Sequence, residues 1–184
     1  ILAAGRGRRL WPYTSECPKC LLSLGRQTIL EHQLERLAAV GVERVTVVAG
    51  FRVEAVRRKA EEAAPGHLPV HVVYNPFFAV SDNLISLWSA RSEIGDDLLL
   101  LNGDNVFHPG ILQHLLDHVP QACTLLIHRK ATFDDDDMKV ELHGDRLRRI
   151  GKGLCPERAQ AGSIGVMRFA GEGARRLHTV LEEA

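Results

Sequence analysis

No charge imbalance marks this chain: 23 Lys and Arg offset 23 Asp and Glu. Nucleic-acid binders are usually basic overall or carry a long basic face. The balance therefore argues against nucleic acid and for a small-molecule enzyme or a soluble protein partner. Cysteine is sparse too, with four in 184 residues, too few for a disulfide scaffold. Cys17 and Cys20 form a lone C-x-x-C. A structural zinc site needs a second pair, and Cys123 and Cys155 lie far apart. A redox pair normally follows a thioredoxin-like strand, whereas this one interrupts a basic loop. Unpaired thiols are expected, and with them a cytoplasmic location. No apolar run approaches the ~18 residues of a membrane span. No signal peptide, internal repeat or low-complexity linker is visible.

What the chain does have is an ordered alternation of patterns. "ILAAG" reads as a strand end, "TILEHQLERLAAVG" as an amphipathic helix closed by Gly41, and "RVTVVAG" as a buried strand. "RVEAVRRKAEEAA" reads as a charged helix and "PVHVVYN" as a strand. "NLISLWSARSEI" reads as a helix, "DLLLLNGD" as a strongly apolar strand, "PGILQHLLDHV" as a helix and "ACTLLIHR" as a strand. Four β-α units and a strand predict an α/β fold, a mainly parallel sheet with helices on both faces. Beyond Asp134, "MKVELHGDRLRRIGK" predicts two strands joined at a His-Gly-Asp turn. "SIGVMRF" predicts another strand and "GEGARRLHTVLEEA" a last helix, so a small β-rich flap follows the α/β core. The length suggests one domain over residues 1–184. The chain starts at Ile1, inside a strand, so trimming is expected at both ends.

Positive charge concentrates in one place. "AAGRGRRLWPYTSECPK" puts Arg6, Arg8 and Arg9 on a Gly-rich turn, with Lys19 following in the same loop. Gly-rich loops after strands bring backbone N–H groups to phosphate oxygens. The dinucleotide fingerprint needs a third glycine where Leu10 stands, and the P-loop Gly-Lys-Ser/Thr is absent. Both basic turn and apolar strand "LLLLNGDN" end in polar clusters at strand carboxyl ends, where ligands of such sheets sit.

The spacing L-A-A-G-x-G-x-R-L-x-P-x-T-x-x-x-P-K-x-L-L over residues 2 to 22 resembles the signature of the sugar-phosphate nucleotidyltransferase superfamily. That resemblance implies a Rossmann-like three-layer α/β/α fold with the flap on the acceptor side. By it, Leu2, Ala3, Ala4 and Gly5 line the nucleoside, and Gly5 to Gly7 approach the phosphates. Arg9 and Lys19 fall on the family's catalytic arginine and lysine. Arg6 is open between phosphate contact and solvent, as is Arg8. Gly103 and Asp104 fall on the family's Gly-Asp, whose acid binds Mg2+. "NLISL" with Asn83 and Ser86 resembles the bacterial phosphocholine and inositol-phosphate cytidylyltransferases, and an amide there suits a cytosine edge as well as it suits a helix cap. Lys139, after the acidic run "DDDD", Lys152 in "RRIGKGL" and Gly165 in "SIGVMRF" map onto the acceptor side. The second acidic metal ligand is expected beyond residue 184. His114 and His118 share a helix face at metal-ligand spacing, but without a third ligand they read as exposed helix histidines.

The implied activity is Mg2+-dependent transfer of a nucleoside monophosphate from an NTP, CTP favoured, to a small phosphorylated alcohol such as phosphocholine, an inositol phosphate or a sugar phosphate. The alternatives are a UTP, dTTP or GTP enzyme acting on a sugar 1-phosphate, and a non-catalytic nucleotide-binding regulatory subunit.

Overall fold

A computed structural model describes residues 1–66, 68–118 and 120–183. In chain order its strands are β1 (Leu2–Ala3), β2 (Ser23–Leu24), β3 (Gln27–Thr28), β4 (Val45–Ala49), β5 (Val70–Tyr74), β6 (Asp97–Leu101), β7 (Cys123–His128), β8 (Lys139–His143), β9 (Arg146–Gly151) and β10 (Ala161–Ala170). The helices are α1 (Ile29–Ala39), α2 (Val53–Ala63), α3 (Asn83–Ser89), α4 (Pro109–His118) and α5 (Glu172–Glu182).

β4 pairs in parallel with β1 on one side and β5 on the other. A parallel bridge between Leu2 and Asn102 carries the sheet on to the end of β6. Beyond β6 the direction reverses. β10 runs antiparallel to both β6 and β7 and lies between them. Its first residues also pair with β8, which pairs with β9 to form the flap hairpin. The expected α/β sheet is there. "SIGVMRF", read as part of the flap, is the strand that joins flap to core. It spans both because β10 shifts register between Ser163 and Met167, around Gly165 at φ 75°.

Alternation along β4 loads both faces of the sheet. Val45, Val47 and Ala49 pack with Leu30, Leu34 and Leu37 of α1, Val56 and Ala60 of α2, and Leu112 and Leu115 of α4. Val48 faces the other way, into a smaller cluster with Leu2, Leu87 of α3 and Leu181 of α5. This is the three-layer arrangement. Each fully buried leucine contributes about 1.5–3 kcal/mol relative to an exposed one.

α1 begins at a capping box: the Thr28 hydroxyl accepts from the Glu31 N–H, and the Glu31 carboxylate accepts from the Thr28 N–H at 2.6 Å. That N–H, with the Thr28 hydroxyl, holds the Glu31 carboxyl below the usual carboxylate range. Among the described residues no helix is long and apolar enough to cross a membrane.

Candidate active site

The basic turn owes its shape to Gly7. Gly7 is left-handed (φ 65°, ψ 36°), and a Cβ there would lie 3.1 Å from Lys19 Cβ and 3.2 Å from Thr14 Cγ2. The loop doubles back over this glycine, and the Thr14 hydroxyl locks it by donating to the Gly7 carbonyl at 2.9 Å. Pro18 then starts a short 3-10 turn, Lys19–Leu21. Cys20 points inward from it, 2% exposed, and burial pushes its thiol up to about 12. Lys19 points the other way, and its ammonium ion-pairs with the Asp104 carboxylate, 85 residues along the chain. The two motifs singled out in the sequence thus meet at one point. Gly5 has open space on its Cβ side.

Asp104 sits in a turn held from three directions. Gly103 donates its N–H to the Leu2 carbonyl at 2.8 Å, and a Cβ on Gly103 would come within 2.6 Å of Ala3 Cβ. Only glycine lets the turn approach β1 so closely. From α1, the fully buried Gln33 donates to the Asn102 and Asn105 carbonyls at 2.9 and 2.8 Å. From β10, the Ile164 carbonyl accepts from the Asn105 amide at 2.6 Å, and a Cβ on Gly165 would collide with the Asn102 amide. Asn83 also reaches this turn, donating to Asn102 Oδ1 at 3.1 Å. The helix cap is supplied by Asp82, which accepts from the Leu84 N–H.

The flap meets the basic loop through Asp136. Its two oxygens hold Arg9 at 3.1 Å and Lys152 at 3.2 Å. The hydrogen bond from Lys152, with the charges of Arg9 and Lys152, keeps the Asp136 carboxyl below the usual carboxylate range. Arg6 lies over the rings of Phe51 and Phe78 at 5.4 and 5.6 Å, a cation–π arrangement that ties the loop to the ends of β4 and β5.

Three of the sequence-derived candidates lie off the cleft surface. Leu2 packs in the α3–α5 core and touches the site through its backbone. Ser86 is buried, and its hydroxyl accepts from Asn75 at 3.1 Å, because the apolar spacing of α3 turns this residue toward the sheet. Lys139 is 1% exposed, and its ammonium donates to the Lys152 carbonyl at 2.7 Å. It supports the Lys152 loop from beneath instead of facing solvent, because the residue enters β8 on its inward side. Ala4 is buried, and Ala3 is half-buried against Gly103. The His118 side chain lies outside the described residues. Among those described, no group of three or more His, Cys, Asp or Glu is placed to hold a metal ion. The four cysteines are free thiols.

Sequence reasoning missed Gln33, Asn102, Asn105 and Asp136. Gln33 had a signal: it is a polar residue on the helix face shared by Leu30, Leu34 and Leu37. Asp136 had none, since a carboxylate in a run of four looks like any solvated acid.

The oxygens of Asp104 are hard donors, as magnesium prefers. Such cations are usually bound through one or two carboxylates, with substrate phosphates and water completing the shell. The exposed Asp104 carboxylate at the β6 turn, beside a Gly-rich, cationic loop, fits that donor set.

Comparison with known proteins identifies the family. Residues 1–139 match the MobA-like NTP transferase domain. CMP-5'-(3-aminopropyl)phosphonate synthase of Streptomyces rubellomurinus is 42% identical over 129 residues, 70% of this chain and 20% of that protein. 2-Aminoethylphosphonate cytidylyltransferase of Lancefieldella rimae is 27% identical over 192 residues, covering 100% of this chain and 71% of that protein. The choline-phosphate cytidylyltransferase of Streptococcus pneumoniae is 30% identical over 57% of this chain and 43% of its own length. The chain thus spans a fifth of the first of these relatives and less than half of the last. Among solved structures, the inositol-1-phosphate CTP transferase from T. maritima superposes with a TM-score of 0.80 at 20% identity, over 100% of this chain and 72% of that one. With three quarters of its length matched and the loop, strand and turn of the site all falling within that match, the chain belongs to the MobA-like NTP transferase family.

Proposed function

We propose that this chain carries the catalytic centre of a cytidylyltransferase. It moves CMP from CTP to a small acceptor bearing a phosphate or phosphonate. The single observation that carries the reading is the Lys19–Asp104 pair, which joins the family loop to the one exposed carboxylate of the β6 turn. The choice of CTP and of a phosphonate-type acceptor rests on the relatives, since three of them are named for CMP or cytidylyl transfer to aminopropylphosphonate, aminoethylphosphonate or choline phosphate.

In the reaction an acceptor oxygen attacks the α-phosphorus of CTP. The bond from that phosphorus to the α,β-bridging oxygen breaks, and pyrophosphate leaves with the electron pair. Anion approaches polyanion, so cations must be in place before the reaction. Arg9 and Lys19 flank the phosphates, with the Gly5–Gly7 backbone turned toward them. Lys152 and Arg9, both drawn to Asp136, define where the acceptor anion docks, and Gly165 leaves room for Asn102 beside it. Asn83 stands at the mouth for the base. Asp104 would hold Mg2+, which supplies charge neutralisation on the phosphate oxygens.

The test is pyrophosphate release by the full-length protein with Mg2+. CTP, UTP, ATP, GTP and dTTP are crossed with 2-aminoethylphosphonate, 3-aminopropylphosphonate, phosphocholine, inositol phosphate and glucose 1-phosphate. Turnover with CTP and one of the first four acceptors is expected, with a loss of about 10²–10³ in Asp104→Asn. Turnover confined to UTP and glucose 1-phosphate would overturn the CTP assignment. Nucleotide binding without release across the panel would point to a regulatory binder.

A further inference from the structure

We infer that Gln33 of α1, which lies outside the cleft, is the positioning residue of Asp104. The inference rests on the reading of Asp104 as the holder of the divalent cation. The Gln33 amide nitrogen donates to the carbonyls of Asn102 and Asn105, at 2.9 and 2.8 Å. These two carbonyls bracket Gly103 and Asp104. Because a carbonyl only accepts, the orientation of the amide is fixed, and both of its N–H groups are spent on this one turn.

Burial makes the arrangement selective. Gln33 is fully buried among leucines of α1, and its Oε1 is buried without a hydrogen-bond partner among the described residues. A buried polar group destabilises the fold unless it is bonded, and a leucine would suit both the helix and the core. The donors are the part of this side chain that the structure uses. The turn needs them. Gly103, which must be glycine to approach Ala3, is also the residue with the most freedom to lose on ordering. The β10 side supplies the opposing hold, with the Gly165 carbonyl accepting from the Asn102 N–H at 3.0 Å and the Ile164 carbonyl from the Asn105 amide. Clasped between α1 and β10, the turn presents the Asp104 carboxylate to Lys19 and to the open side of the cleft. Gln33 acts on that carboxylate through backbone alone.

The experiment measures Mn2+ binding by electron paramagnetic resonance, with the non-hydrolysable α,β-methylene analogue of CTP present. Wild type, Asp104→Asn, Gln33→Met and Gln33→Asn are compared, each checked for folding by circular dichroism. Residues that orient metal ligands typically change metal affinity about 10–100-fold when removed. Gln33→Met is expected to weaken Mn2+ about tenfold at unchanged nucleotide affinity, and its lost turnover is expected to return at high Mg2+. A merely structural role would lower the melting temperature and leave the metal affinity alone. Gln33→Asn keeps a primary amide one methylene short of the turn, and carries the comparison if the methionine variant does not fold. A folded Gln33 variant that binds Mn2+ like wild type, while Asp104→Asn has lost it, overturns this inference and leaves the cation reading standing. Wild-type affinity in Asp104→Asn overturns the cation reading itself, and this inference with it.

Discussion

The two halves of the sheet hold their functional side chains by different means. On the parallel side, formed by β5, β4, β1 and the end of β6, placement is enforced by close backbone packing. Gly7 lies under Lys19, Gly103 against Ala3, and Gly50 beneath Phe78, whose Cβ would be 2.2 Å from any Cβ added there. On the antiparallel side, the hairpin of β8 and β9 reaches the cleft through side-chain charges. Arg9 and Asp136 are 71% and 58% exposed, and five of the six β9 residues are exposed. Even the buried acid of the hairpin, Glu141, is held at one carboxylate oxygen by two largely exposed arginines, Arg148 and Arg158, at 3.1 and 3.0 Å. The lesson is a division of labour. The half proposed to take the nucleotide is closely packed, and the half proposed to take the acceptor can be re-tuned by surface substitutions.

The comparison breaks most sharply at glycines. Gly103→Ala forces a methyl into Ala3 and the Leu2 carbonyl, and overpacking of this kind typically costs about 1–3 kcal/mol. It is expected to lower the chemical-denaturation midpoint and abolish turnover. Gly151→Ala in β9, with open space on its Cβ side, is expected to change neither. Equal effects in the two variants would dissolve the distinction drawn between the halves.

A smaller effect is expected at the flap. Asp136→Asn releases Arg9 and Lys152 to the acceptor anion, and the KM for the acceptor should fall about threefold while kcat is kept, as suits a pair exposed to solvent. A rise in KM would mean that Asp136 itself contacts the acceptor. The sign of the pH effect follows from the depressed carboxyl. The bridge is present above the ordinary carboxylate range and is lost only as pH falls through the lowered value. At pH 5 the wild-type and Asn variants should therefore still differ.

The smallest effect is chemical. Cys123 and Cys155, both on the antiparallel side, are exposed, whereas Cys20 beneath the basic loop is buried with its thiol pushed up to about 12. At pH 8 a thiol reagent should modify Cys123 first, Cys155 more slowly because its hydrogen bond to the Glu157 carboxylate pushes the thiol up, and Cys20 only in denaturant, read by mass spectrometry. Rapid labelling of Cys20 would show the loop to be looser than its packing implies.

Much of this molecule is legible in its sequence. The helix over 29–39, the valine strand over 45–49 and the apolar strand over 97–101 all follow from local periodicity. Lys19 and Asp104 stand out by motif. The same reading does not show that Ser86 and Lys139 are buried, since a motif position does not say which side of a helix or strand packs inward. Gln33 looked like one polar residue among core leucines, because its partners are carbonyls 69 and 72 residues away.

What the sequence by itself determined is the alternation of strand and helix, the Gly-rich cationic turn and the acid at the end of an apolar strand. These depend on residues within a few positions of one another, where side-chain period and glycine freedom are decisive. Tertiary structure alone decided that β10 would run antiparallel between β6 and β7, that Lys19 would meet Asp104, and that a buried amide would hold the turn between them. Those outcomes depend on which distant surfaces bury each other best, a competition that no short stretch of the chain can express.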